Sequence, residues 1–183
     1  MKINLYSDSG KLISTLQTQK STGASFEECL IDKAALDAAG RKISITCSLP
    51  IIDMHGFWTP DMFRPKLQLD WNISFTCAAH RNFPYISFFN MAQVNRASIG
   101  LSNLFDDAGF SAKMNQETGN YDLEFVVSLS PDTETFKFFA DFRAAPWTES
   151  LSGYRRFVRP GCSPSYPEGA WSPVYCTWYA VHA

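Results

Sequence analysis

The sequence has no apolar run that approaches the roughly 20 residues a membrane-spanning helix needs. Basic residues are sparse as well: the formal net charge is −2, and no basic cluster exceeds Arg155-Arg156. The first residues, M-K-I-N-L-Y-S-D, lack the apolar core and the cleavage site of a secretory signal. We therefore expect a cytoplasmic protein that binds neither membranes nor nucleic acids.

Motifs for metal, phosphate or nucleophilic chemistry are also missing. The chain has no H-x-x-x-H or mixed Cys/His spacing, no glycine-rich phosphate loop and no G-x-S-x-G elbow. Its histidines are dispersed, at His55, His80 and His182, and its five cysteines are odd in number and scattered, at Cys29, Cys47, Cys77, Cys162 and Cys176. We expect no metal, no cofactor, and reduced thiols in an apolar core.

What the sequence does have is a strong two-residue period. Apolar and polar residues alternate in segments 3–5, 12–16, 42–49, 66–77, 97–101, 121–129 and 136–142. The longest, 66–77, alternates without exception and places Trp71 on the buried face. Asp8-Ser9-Gly10 and Pro131-Asp132 each read as the turn of a hairpin. Many alternating strands with short turns predict a mainly β protein, an antiparallel β-sandwich with one or two short helices.

Two segments favour helix. In 26–39, Ser25 and Glu28 resemble a capping box, and a run ending at Gly40 has a glycine stop, although a strand followed by a loop fits equally well. In 146–158, apolar residues recur at helical spacing before Pro160-Gly161. We interpret the aromatic residues of this second segment as the buried face of a connecting helix.

The C-terminal part reads differently from the rest of the chain. Residues 161–172 are rich in proline, glycine and serine and are typical of a linker. Residues 173–183 form a mostly apolar run that suits a strand covered on both faces, as in a parallel sheet. We therefore predict a β-sandwich domain over 1–165, and over 166–183 a linker with the first strand of a further domain.

This C-terminal stretch carries a family resemblance. Residues 166–182, Y-P-E-G-A-W-S-P-V-Y-C-T-W-Y-A-V-H, resemble the junction in glycoside hydrolase family 36, the α-galactosidases, whose pattern is close to P-x-x-A-x-x-P-V-Y-x-T-W-Y-x-x-H. The matching residues are Pro167, Ala170, Pro173, Val174, Tyr175, Thr177, Trp178, Tyr179 and His182. More diffusely, residues 89–102 are similar to a family segment in which an asparagine-containing strand leads into a small apolar run.

The resemblance implies a fold and a function. In that family an N-terminal β-sandwich, of the galactose mutarotase-like supersandwich type, precedes a (β/α)8 catalytic barrel. The parent enzyme would be a retaining glycosidase that removes terminal α-linked galactose. The family's K-W-D and S-D-x-x-D type catalytic segments do not occur here, so the 183-residue chain alone is expected to be inactive. Its expected partners are its own barrel, galactosides or related oligosaccharides through the parent enzyme, and, as an open possibility, copies of itself.

Four residues are candidate substrate-binding residues. Trp178 would lie near the C-terminal end of the first barrel strand, where the resemblance places a tryptophan against galactose; packing inside the barrel is the alternative. Trp58, His55 and Asp61 lie in an aromatic-rich stretch, 53–61, which we interpret as a loop. Sugars stack their C–H faces on aromatic rings and hydrogen-bond to planar polar groups. Alternatively, Trp58 caps the sandwich or packs on the barrel.

Two other interpretations of the function stay open. A stand-alone carbohydrate-binding sandwich would use Trp58 and its neighbours as its primary site, and a purely structural interaction domain would bind no sugar.

Asp106-Asp107 is an adjacent acid pair, but it precedes Ala-Gly and is typical of a solvated turn rather than of a catalytic pair.

Overall fold

The computed structural model describes residues 1–60, 69–77, 82–104, 106–159 and Glu168. Its strands are β1 (Lys2–Ser7), β2 (Leu12–Gln17), β3 (Gln19–Lys20), β4 (Glu27–Ile31), β5 (Lys42–Pro50), β6 (Gly56–Trp58), β7 (Asn72–Cys77), β8 (Tyr85–Phe89), β9 (Asn95–Leu101), β10 (Asp107–Asn115), β11 (Asn120–Ser128) and β12 (Phe136–Asp141). Its helices are α1 (Lys33–Ala39) and α2 (Trp147–Val158). Neither helix is long and apolar enough to cross a membrane.

The strands form two six-stranded antiparallel sheets packed face to face, which confirms the predicted mainly β sandwich. Sheet A has the order β2-β1-β5-β11-β10-β7, and sheet B has the order β3-β4-β12-β9-β8-β6. A hairpin joins β1 to β2, as Asp8-Ser9-Gly10 predicted, and a second hairpin joins β10 to β11. Gly10 adopts a φ of 77° in the first of these turns, a backbone conformation that glycine takes without steric cost.

The hydrophobic core lies between the sheets and is formed by the apolar residues that alternate with polar ones along the strands. On β5, Ile43, Ile45, Cys47 and Leu49 are all at most 7% exposed, while the intervening side chains face outward. Aromatic rings contact each other across the two sheets: the Phe88 ring of β8 stacks on the Tyr121 ring of β11 at 5.3 Å. Each fully buried large side chain of this kind contributes about 1.5–3 kcal/mol to folding.

Helix α2 covers the outer face of sheet B. The Tyr154 ring packs on the rings of Tyr85 at 4.8 Å and Phe139 at 5.4 Å, and its hydroxyl donates to the Leu101 carbonyl oxygen at 2.7 Å. Strand β8 is therefore buried on both faces. Because such a strand has no polar alternation, the two-residue period did not reveal it.

The hairpin predicted at Pro131-Asp132 is wrong. Strand β11 belongs to sheet A and β12 to sheet B, so the chain at these residues crosses from one sheet to the other. A proline-aspartate turn fits both a hairpin within one sheet and a crossing between two sheets. Which of the two forms depends on the strands with which the next strand pairs. Strand β12 pairs with β4 and β9, both in sheet B.

Three local predictions also need correction. Trp71 is 57% exposed rather than buried, because β7 begins only at Asn72. Helix α1 is capped by Asp32, whose Oδ1 accepts a hydrogen bond from the Ala35 amide at 2.9 Å, and not by Ser25. The segment that favoured either helix or strand contains both, since β4 precedes α1. The glycine stop at Gly40 is confirmed, with a φ of 79°.

The predicted solvated turn at Asp106-Asp107 is wrong as well. Asp106 is 8% exposed, and its carboxylate accepts hydrogen bonds from the Asn103 side chain and from the Ser130 amide. Asp107 opens strand β10. The burial of Asp106 is explained by its partners, because a buried carboxylate needs hydrogen-bond donors.

The predicted helix over 146–158 is confirmed as α2, with Tyr154 buried. Its expected stop at Pro160-Gly161 lies outside the described residues. Three further predictions also lie outside the described residues, apart from Glu168: the domain boundary near 165, the linker and the apolar run at 173–183.

Cys29 and Cys47 are buried thiols, and burial raises the pKa of Cys47 to about 12.

Candidate functional site

The stretch 53–61, predicted as a loop, contains a strand. Strand β6 lies at one end of sheet B and pairs antiparallel with β8, so that Phe57 lies opposite Phe88 and Trp58 opposite Ser87. The apolar residues of this stretch are therefore divided between two faces of the sheet. Phe57 packs into the core between the sheets, and Trp58 packs on the side that α2 covers.

Trp58 is half-buried in an aromatic cluster. Its ring stacks on that of Trp147 at 5.3 Å with an interplanar angle of 29°, and lies 6.2 Å from the ring of Tyr85 and 6.3 Å from that of Phe83. These are the contacts expected if Trp58 caps the sandwich. Its role in sugar binding stays a prediction.

His55 is exposed and lies in a different cluster, on the polar side of the stretch. Its Nδ1 is 3.6 Å from Oδ1 of Asp53. The other carboxylate oxygen of Asp53 accepts hydrogen bonds from Nδ2 of Asn90, at 2.9 Å, and from the guanidinium of Arg96. We call Asp53, His55, Asn90 and Arg96 the Asp53 cluster. The structure thus groups His55 with residues that the sequence analysis did not select.

The backbone around the Asp53 cluster is tightly held. Asn90 accepts hydrogen bonds from the amides of Ala92 and Val94 through its side-chain oxygen, both at 3.0 Å, within the turn that joins β8 to β9. Asp53 itself has a φ of 53°, in the left-handed region that aspartate and asparagine tolerate better than other non-glycine residues. The cluster is therefore positioned by two turns that approach each other.

The electrostatics of the cluster favour an ionised Asp53. The hydrogen bonds from Asn90 and then Arg96 lower the pKa of this carboxyl below its ordinary value, and the charges of Arg96 and His55 act in the same direction. A carboxylate that accepts hydrogen bonds is stabilised in its charged form. At neutral pH, Asp53 and Arg96 therefore form an ion pair with no net charge.

A groove opens beside the cluster, at one end of the sandwich. Leu49 and Pro50 at the end of β5 in sheet A form one side, and Arg96 and Ala97 of β9 in sheet B form the other. Phe142, directly after β12, completes it. The groove has a volume of about 340 Å³. Polar groups in fixed positions next to apolar surface are the usual composition of a small-molecule site.

The remaining predicted site residues lie outside the described part of the chain. They are Asp61 and Trp178. Within the described residues, no group of three or more histidine, cysteine or acidic side chains is arranged to hold a metal ion. Asn90, Arg96 and Phe142 were missed, because sequence-distant strands bring them together and no local motif marks them.

Comparisons with protein families, with curated proteins and with solved structures find no match for this chain. The candidate site therefore rests on its own geometry and chemistry.

Proposed function

We propose that this chain is the non-catalytic N-terminal domain of a retaining α-galactosidase-like glycoside hydrolase, and that it packs on a (β/α)8 barrel and shapes the entrance to the active site. The observation that supports the proposal is the order of the parts. A β-sandwich that ends in helix α2 precedes a segment, 166–182, that resembles the sandwich-to-barrel junction of family 36.

The acidic residues of the domain are consistent with a non-catalytic role. A retaining glycosidase needs two carboxyl groups about 5–5.5 Å apart, one as nucleophile and one as acid/base. Of the adjacent pairs, Glu27 accepts hydrogen bonds from Thr18 and the N-terminal amine, and Glu28 contacts Ser21 and Lys137. Asp106 is bound to the Ser130 amide. Since these carboxylates serve structural contacts, the double displacement is assigned to the barrel.

A surface beside α2 suits packing on the barrel. An open groove of about 510 Å³ runs along the helix, with Phe83, Leu104, Leu151 and Val158 on its apolar side. Helix α2 is also the last described element before the segment 166–182. An apolar surface at this position would be covered by a domain that follows directly in the chain.

The test compares the 183-residue chain with the reading frame extended through the barrel, both assayed on an aryl α-galactoside. We expect hydrolysis by the extended protein only. In that protein Trp178→Ala should lower kcat/KM at least tenfold, since the ring would stack on the galactose, and Trp71→Ala is the control because Trp71 is an exposed tryptophan of the sandwich. Hydrolysis by the short chain, or an inactive extended protein, would contradict the proposal.

The second candidate is a stand-alone carbohydrate-binding module. It is favoured by the Asp53 cluster, whose fixed polar groups border an open groove. A reading frame that contains no barrel after Ala183, combined with galactoside binding by the chain alone, would replace the first proposal with this one.

A further inference from the structure

We propose that the groove between Pro50 and Phe142 binds one neutral pyranose ring, with Phe142 as the stacking surface and Asp53 and Arg96 as the hydrogen-bonding partners. The site follows from the geometry of the groove. The choice of a galactose-configured ring among neutral pyranoses rests on the proposed function.

The apolar side of the groove is exposed to solvent. Among the described residues seven large hydrophobic side chains are exposed, and two of them, Ile52 at 71% and Phe142 at 38%, line this groove. Pro50 lies beside them. A concave apolar surface in contact with water gains free energy when a ligand covers it. The C–H face of a pyranose is apolar and flat enough to lie against an aromatic ring.

The polar side offers both an acceptor and donors. The hydrogen bonds from Asn90 and Arg96 go to Oδ2 of Asp53. Its Oδ1 has His55 at 3.6 Å, beyond hydrogen-bond distance, and can still accept. Among the described residues, the Arg96 guanidinium contacts Asp53, and its Nε is buried. The side chain is 31% exposed, so its terminal N–H groups are the donors that a ligand would meet. A sugar hydroxyl donates and accepts at once, so an acceptor and a donor side by side suit a pair of neighbouring hydroxyls.

Charge and size narrow the ligand class. The charges of Asp53 and Arg96 cancel within the pair, so the groove does not favour a phosphate, a sulfate or a carboxylated sugar over a neutral one. Its volume of about 340 Å³ is at the lower end of ligand sites, which span about 300–1,000 Å³. This volume suits a single ring with an exposed exit for further sugar units.

The polar side chains of the site are held by contacts within the protein. Asn90 holds Asp53 on one side and the β8–β9 turn on the other. Arg96 is on β9 and pairs with Asp53. Because these contacts restrain the side chains, we expect binding to lose less side-chain entropy than it would with unrestrained side chains.

The experiment is an NMR titration of the ¹⁵N-labelled 183-residue chain with methyl α-galactopyranoside, followed through the backbone amides of Asp53, Arg96 and Phe142. We expect saturable shifts at these amides with a millimolar dissociation constant. Phe142→Ala should weaken binding at least fivefold and Phe142→Tyr should retain it. Arg96→Met, which keeps the aliphatic stem, should abolish it. Trp71→Ala, which removes an exposed aromatic ring outside the groove, should bind as the unmodified chain does.

Two results would overturn the site: no saturable shift at the three amides, or equal affinity in Phe142→Ala and Phe142→Tyr when both variants keep the dispersed spectrum of the folded chain. The hydrolysis assay of the extended protein is independent of this titration, so each proposal can fail alone. Equal binding of methyl α-glucopyranoside, the 4-epimer, would support the groove as a pyranose site and overturn its preference for galactose.

Discussion

Asp53 holds several features of the candidate site in place through one side chain. It combines a left-handed backbone conformation with hydrogen bonds from Asn90 and Arg96 and proximity to His55. Asparagine tolerates the same backbone conformation and keeps the shape of the side chain, but it lacks the charge. Asp53→Asn therefore separates the charge of this residue from its geometry.

The first prediction concerns acid stability. The folded-state pKa of Asp53 is lowered. The charged carboxylate therefore stabilises the folded protein at pH values above the unfolded-state pKa, which is about 4. This stabilisation is lost as the pH falls through the lower, folded-state pKa. Urea unfolding at pH 7 and at pH 3 should show a smaller loss of stability in Asp53→Asn than in the unmodified protein. Asp8→Asn, which changes another exposed surface carboxylate, is the control. An identical loss in Asp53→Asn and the unmodified protein would contradict the prediction.

At the scale of elements, the fit of α2 on sheet B depends on Gly100 in β9. A Cβ atom added to this residue would lie 2.5 Å from Cε2 of Tyr154 and 2.9 Å from the Pro84 carbonyl oxygen. Real contacts of this kind are longer, so either the helix or the strand would have to move. The helix can approach the sheet closely because this residue has no side chain.

The second prediction tests this close approach. Gly100→Ala should destabilise the protein by about 1–3 kcal/mol, the usual cost of inserting a methyl group into a well-packed interior. Gly109→Ala is the matched control, since Gly109 also lies in a strand, β10, and an added Cβ there meets no atom within 4 Å. Denaturant unfolding measures both. Equal stability of the two variants would show that the helix does not depend on Gly100.

The elements also show what the sequence could predict. Strands with one solvent-exposed face, such as β5 and β11, have alternating apolar and polar residues and were predicted from that two-residue period. Strand β8 was missed because sheet and helix bury both of its faces. The crossing at Pro131 was misread because local turn residues do not record which sheet the next strand joins. In the candidate site, His55 and Trp58 were selected from composition, whereas Arg96 reaches Asp53 only through the tertiary fold.

At the scale of the whole molecule, the two sheets share one core. The Phe138 ring of β12 contacts the Phe125 ring of β11 edge-on at 6.2 Å across the sandwich, and both residues are 0% exposed. Each sheet buries its apolar inner face only by packing against the other sheet. We therefore expect the described sandwich to unfold in a single transition.

The third prediction follows from that shared core. Phe138→Ala should destabilise the protein by about 3–5 kcal/mol, because it leaves a cavity between the sheets. Far-UV and near-UV circular dichroism should still report the same transition midpoint. Leu30→Ala, at a side chain that is 52% exposed on β4, should change stability by no more than about 0.5 kcal/mol. Separate midpoints for the two signals would indicate that the sheets unfold independently.

The position of β12 has a consequence for synthesis on the ribosome. This strand lies between β4 and β9 and joins the β3-β4 pair to the β9-β8-β6 group. Until its last residue, Asp141, leaves the exit tunnel, sheet B lacks the strand that joins its two halves, so the sheet cannot be completed. At about 5–20 residues per second, synthesis from the end of β9 to the end of β12 takes several seconds. During this interval β4 and β9 lack the strand that pairs with both, and unpaired strands of this kind can pair with other chains.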